Sequence, residues 1–178
     1  MNIINEHQPE QNRENLVGTL AIAKIQELVK QSPTCFFCTS MTTGKRFQTR
    51  PMAVQIVDDS GRLWLLSASD SNLDAELAAN PATQLLFQGS SHSDFLTLYG
   101  HTTVSRDPQK IKELWSPLMK TWFTEGQTDP RITVLCMEPD LGYYWDTKHN
   151  RAIVFAKMVV GAMLGKSLDD SIEGKLLV

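Results

Sequence analysis

The chain has 178 residues, of which 42% are apolar and 21% charged, a balance that suits one domain around one core. Its 17 Lys and Arg against 20 Asp and Glu leave a net charge of −3, so no basic footprint invites nucleic acid. Residues 1–12 lack the apolar run of a secretory signal, and the most apolar stretch, 152–164, is interrupted by Lys157 and falls short of the roughly 20 residues that span a bilayer. These features predict a cytoplasmic protein without a membrane segment.

Residues 1–14 read as a loose polar arm, and 15–178 as the folded domain. Leu16, Leu20, Ala23, Ile25, Leu28 and Val29 recur near helical spacing, which predicts a helix over 16–30 ended by Ser32-Pro33. A first strand follows at 34–40 and a second at 47–57. Asp58-Asp59-Ser60-Gly61 is hairpin-turn chemistry leading to a third strand at 63–67. Ser71 is placed to cap a short helix over 71–79, with Asp74 as its capping-box partner, and Asn80-Pro81 stops it.

Strands are expected at 83–88 and 95–105. Asp107-Pro108 opens another helix, which runs to about residue 114, with a second piece at 117–122. Further strands are expected at 132–137 and 142–145, then a helix or extended segment at 152–164, with a polar tail from Gly165. Hairpin-linked strands with few helices predict a mainly β (α+β) fold, a six- to seven-stranded antiparallel barrel with helices over its openings.

Cys35, Cys38 and Cys136 are odd in number, which argues for free thiols. Cys35-Phe36-Phe37-Cys38 matches C-x-x-C, but on a strand residues three apart face opposite ways, so core packing is the better reading. His7, His92, His101 and His149 are scattered, no metal-ligand spacing is present, and neither dinucleotide fingerprint nor nucleophile elbow occurs. The sequence therefore names no metal site and no catalytic constellation.

One arrangement does point to a ligand. Arg50-Pro51-Met52 lies on a strand, a hairpin follows, and a helix then starts at Ser71. An arginine and the open amino end of a helix can hold one phosphate between them. Each part has a plainer use: Arg50 suits an ion pair with a neighbouring acid, and Ser71 caps a helix with or without an anion.

The chain also carries Gly61-Arg62-Leu63-Trp64-Leu65-Leu66-Ser67, Asn80-Pro81, Phe87, Tyr99-Gly100, Asp107, Leu114-Trp115-Ser116-Pro117, Trp122-Phe123, Asp129-Pro130 and Tyr144-Trp145-Asp146. In this order, together with Arg50-Pro51-Met52, they resemble the bacterial general stress proteins of the pyridoxamine 5'-phosphate oxidase-like, FMN-binding split-barrel superfamily. The resemblance covers residues 16–178. It implies a split β-barrel that forms a homodimer, with FMN, or FAD in its place, in a cleft between subunits.

Carried over by position, the resemblance implies that Arg50 faces the FMN phosphate and that Pro51 and Met52 run along the isoalloxazine ring. Leu66 and Ser67 touch the ring or ribityl chain, Ser71, Asn72 and Leu73 form the phosphate clamp, and Trp145 reaches the flavin from the partner subunit. The stretches Leu114-Trp115 and Trp122-Phe123 wall the site or the dimer interface.

The chain departs from the family pattern in several places, and at the clamp, where the oxidases proper carry two basic residues, it has Asn72-Leu73. Leu73 stands where a basic clamp residue is usual, Gln55 where the oxidases proper have a lysine, and no substrate-gripping Arg and His pair is recognisable after Trp145. Asp70 and Asp74 add negative charge near the phosphate. The departures argue against oxidation of pyridoxamine 5'-phosphate itself. Three functions stay open: a flavin-dependent oxidoreductase, a flavin-binding sensor or store, and a barrel that has lost its flavin.

Overall fold

The computed structural model describes residues 12–40, 44, 46–89, 94–147 and 171–178. The elements are β1 (Leu16–Val17), α1 (Thr19–Gln31), β2 (Thr34–Thr39), β3 (Gln48–Ala53), β4 (Ile56–Val57), β5 (Leu63–Ala68), α2 (Asn72–Ala79), β6 (Ala82–Gln88), β7 (Phe95–Ser105), α3 (Pro108–Leu114), β8 (Ile132–Thr147) and β9 (Ser171–Leu177). Short 3-10 helices at Pro117–Thr121 and Gly126–Thr128 join α3 to β8. The fold is the expected mainly β split barrel.

The strands run β1-β9-β8-β7-β6-β2-β3, with β5 on β8 and β4 on β5. All pairs are antiparallel except β1 with β9. The split comes from the 16 residues of β8. Its first part, from Ile132 to Met137, pairs with β5, and its second, from Leu141 to Thr147, pairs with β9. β7 runs along both parts, with a register shift at Tyr99/Gly100, opposite Pro139.

That bulge explains why two strands were expected where one exists. Glu138-Pro139-Asp140 reads as a turn, yet proline fits a strand where the ladder is already broken. Gly100 makes room for it: a Cβ there would lie 2.0 Å from the Glu138 carbonyl oxygen.

Among the described residues the sheet counts nine strands, where six or seven were expected. The expected second strand is two, β3 and β4, and the expected polar tail ends in β9. Ser171–Leu177 is rich in polar residues, but Leu176 is fully buried, and Gly174 lets the chain press on Glu14, whose carbonyl oxygen a Cβ would meet at 1.7 Å. Asn12, Arg13 and Glu14, within the expected arm, lie beside β9: Glu14 donates its N–H to the Glu173 carbonyl at 2.9 Å. The segment expected at 152–164 is outside the described residues.

The main core gathers Ile25 and Leu28 of α1, Phe37, Leu63, Leu65, Leu73, Leu85, Leu98, Leu135, Met137 and Leu176. Each such side chain is worth roughly 1.5–3 kcal/mol of transfer free energy. β5 alternates: Leu63 and Leu65 enter this core, while Trp64 and Leu66 pack against a second cluster of Ile111, Leu114, Phe123, Ile132 and Val134. The second cluster holds α3 and the 3-10 segment against the sheet, next to the end of β3.

Candidate functional site

Among the described residues, β3 ends the strand order and pairs on one side only, with β2. An edge strand tolerates Pro51, which has no N–H to offer a further neighbour. Alternation along β3 puts Arg50 and Met52 on one face and Pro51 on the other. Arg50 reaches α2, where its Nη2 donates to Glu76 Oε2 at 2.7 Å. The same carboxylate oxygen accepts from Thr39 Oγ1. Burial pushes the Glu76 carboxyl up, but the bonds from Thr39 and Arg50 outweigh it and hold the group below the ordinary glutamate value.

The ion-pair reading of Arg50 thus holds for one nitrogen, with the acid on a helix rather than a strand. It does not account for the other. Arg50 Nη1 is buried and has no hydrogen-bond partner among the described residues. A buried charged donor left so costs about 1–3 kcal/mol or more, and an anion would relieve that cost.

Arg50 lines a cavity of about 690 Å³, a common size for a cofactor site. Pro51, Met52, Leu66, Ser67, Ser71 and Leu73 line it too. Seven of the nine residues proposed from the sequence therefore share one wall system, and Asn72 and Trp145 do not. Asn72 is exposed at the start of α2. Leu73 reaches the cavity as apolar floor, being 1% exposed and part of the main core.

Ser71 holds the expected N-cap position, but its side chain makes no capping bond. Asp74 does not close a capping box either: the Ser71 N–H donates to the Ala68 carbonyl at 2.9 Å, and Asp74 Oδ1 accepts from Thr133 Oγ1 at 3.4 Å. Burial raises its carboxyl above the ordinary value, against the Thr133 bond and the charge of Arg106. The first turn of α2 keeps N–H groups that Ser71 does not satisfy, at the rim of the cavity.

Met119, Trp122 and Phe123 form a further wall of the cavity. Trp122 is 64% exposed, a large apolar surface next to the cavity. Trp115 packs behind this wall on Phe123, ring centroids 6.5 Å apart, and does not line the cavity. The lining is thus flat aromatic and thioether surface with a few polar groups, which suits a planar, mostly apolar ligand with an anionic tail.

Arg131 also lines this cavity, and the sequence reading missed it. Its Nε and Nη2 donate to Asp129 at 3.0 and 2.8 Å, and Nη2 also reaches the Trp122 carbonyl at 3.1 Å. The Arg131 guanidinium holds the Asp129 carboxyl down to about 2. Asp129-Pro130 belonged to the family pattern, but Arg131 had no motif of its own.

Trp145 lies elsewhere. It lines a second hollow of about 560 Å³ on the outward face of the sheet, with Phe36, Leu86, Phe95 and Tyr99. The two hollows meet at Thr34 and Pro51. Within one chain, Trp145 is not brought to the Arg50 cavity.

The three cysteines are free and buried. Burial, then the neighbouring Cys38, pushes the Cys35 thiol up to about 12, so it is no nucleophile near neutral pH. Among the described residues, no group of three or more His, Cys, Asp and Glu could hold a metal ion, and no helix is long and apolar enough to cross a membrane.

A split barrel with an arginine and a helix start at one cavity defines the class, and the family follows. Residues 21–169 match the model of the pyridoxamine 5'-phosphate oxidase-like family, and the chain belongs to it. The structure is similar to general stress protein 26 of Jannaschia sp. CCS1, with 21% identity over 88% of this chain and 97% of that one, at a TM-score of 0.75. It is also similar to a protein of Clostridium acetobutylicum related to general stress protein 26, with 22% identity over 69% and 86% of the two chains, at a TM-score of 0.60. A general stress FMN/FAD binding protein of Xanthomonas citri is 26% identical over 68% of this chain and 84% of that one, at a TM-score of 0.57. No curated protein matches significantly.

Proposed function

We propose that this chain binds a flavin nucleotide, FMN or FAD, in the Arg50 cavity, and that it works as a flavin-dependent oxidoreductase of the general stress type. The observation that carries the reading is the buried, unpartnered Arg50 Nη1 at the edge of that cavity. The Xanthomonas citri protein of similar fold binds FMN/FAD by its name, which supports the same ligand here.

Arg50 would take the phosphate and the start of α2 would add backbone donors. Met52, Leu66 and Trp122 would flank the ring and exclude water. A bound flavin supplies hydride or electron transfer. Among the described residues, those lining the cavity include no His, Tyr, Cys or carboxylate, which supports a contribution of binding and orientation rather than acid–base chemistry.

A homodimer completes this reading. The outward face of β2, β6, β7 and β8 exposes Phe36, Leu86, Tyr99 and Leu141. Phe36 is the register neighbour of Leu86, and Tyr99 of Leu141. A second copy seated on this face would cover them. Because the outward hollow meets the Arg50 cavity at Thr34 and Pro51, the partner's Trp145 would then lie close to the seam.

One observation favours a barrel that has lost its flavin: Arg50 and Arg131 each already have a carboxylate partner. Purified protein that is yellow, or that quenches added FMN fluorescence, supports flavin binding, and colourless protein that quenches nothing refutes it. Steady oxidation of NADPH or NADH by the loaded protein supports turnover, and its absence with common acceptors leaves a sensor or store.

A further inference from the structure

We infer that Arg131, which lines the same cavity as Arg50, is the second cationic arm of the anion site and grips the ligand's phosphate together with it. The inference rests on the flavin reading for the ligand, but not for the anion. α2 begins Asn72-Leu73-Asp74-Ala75 and so brings no cation in its first turn. A cation does arrive there by another route. Ser69 donates its N–H to the Arg131 carbonyl at 2.8 Å, and Ala68 is in register with Ile132. The turn that leads from β5 into α2 is therefore laced to the residue just ahead of β8.

Arg131 is set for this role. Asp129, its side chain 1% exposed, fixes the guanidinium through two oxygens, so the fork is oriented before any ligand comes. Those bonds and the Trp122 carbonyl occupy Nε and Nη2. Nη1 faces Asp70 at 3.6 Å, beyond hydrogen-bond reach, and the Asp70 side chain is 60% exposed. So loose a surface pair is worth little and yields readily to a phosphate oxygen. Arg106 steadies the same turn, donating through Nη2 to Ser69 Oγ at 3.0 Å and to the Pro130 carbonyl.

The test uses the full chain and the Arg131→Gln variant. Each is titrated with FMN and with riboflavin, which has the ring but no phosphate. The expected result is FMN binding weakened about tenfold in the variant with riboflavin binding unchanged. Equal FMN affinity in both proteins, or equal losses for FMN and riboflavin, overturns the inference.

A second measurement removes the flavin altogether. Inorganic pyrophosphate is added to wild-type protein while the arginine Nε–Hε signals are followed by 15N NMR. Joint shifts of Arg50 and Arg131 support the two-armed site even if no flavin binds, in which case only the flavin reading falls. A shift of Arg50 alone, or of neither, overturns the second arm. This arm also decides the matter if Arg131→Gln fails to fold.

Discussion

Arg50 and Glu76 are joined at 2.7 Å across the gap between an edge strand and a helix, and the bond uses only half of the Arg50 fork. The carboxylate orients the guanidinium and also competes with any anion for it. Glu76→Gln keeps the shape and removes the competing charge. FMN should then bind about threefold to tenfold more tightly, a gain appropriate to one partly exposed charge pair. Calorimetric titration checks this, and a weaker complex would show that Glu76 acts chiefly by holding Arg50 in place.

Arg50→Ala removes the buried donor itself. FMN affinity should fall about tenfold or more, the loss of one charge-assisted contact, while riboflavin affinity stays within about twofold. Quenching titrations with the two flavins separate phosphate binding from ring binding. An unchanged FMN constant would remove Arg50 from the site.

Leu73→Lys is the change that the sequence alone recommends as a gain, since it restores a base at the clamp position. The structure reverses the sign. Leu73 belongs to the main core, so a lysine there gives up apolar packing and can lead its ammonium out only through the cavity that Leu73 lines. The cost should be about 1–3 kcal/mol, seen as a fall in the urea midpoint. Tighter FMN binding at unchanged stability would restore the clamp assignment.

How far the sequence reached differs between strands and site. β7 lies where expected because alternation is clear in Phe95–Ser105, and α3 begins at Asp107-Pro108, where Asp107 does cap the Gln109 N–H at 2.9 Å. β9 was hidden, because Ser, Glu, Gly and Lys in Ser171–Leu177 mask a strand whose partners lie far away in sequence. Seven of the nine proposed site residues meet at one cavity, since local order along β3, β5 and α2 carries them there. Glu76 and Arg131 were invisible: the first looks like any exposed helix acid, and the second enters only because β5 and β8 pair.

The Asp129–Arg131 pair should resist acid until low pH. The folded Asp129 carboxyl is lowered to about 2, below the roughly 3.9 of an unfolded aspartate. Its contribution to stability is thus fully present above about pH 4 and is lost as pH falls towards 2. Urea midpoints of wild type and Asp129→Asn, taken from pH 6 to 2.5, should converge at the acid end. A constant gap between the two curves would contradict the pairing.

Leu86→Glu places a charge in the middle of the outward apolar face, opposite Phe36 and Thr97. If two copies meet there, sedimentation should change from dimer to monomer, with little loss of fold because Leu86 is already 37% exposed. Wild type that sediments as a monomer would refute the shared seam, as would a variant that stays dimeric.

The contact of Gly174 with Glu14 has a consequence for how the molecule assembles on the ribosome. Lys175 N–H bonds Asn15 Oδ1 across 160 positions, and β1 pairs in parallel with β9. The earliest part of this domain to be synthesised must wait for nearly the last before it can join the sheet. Contacts this distant slow folding. A nascent chain arrested just short of residue 171 should therefore leave its leading segment open to protease, and the whole sequence held clear of the ribosome on an added C-terminal linker should protect it.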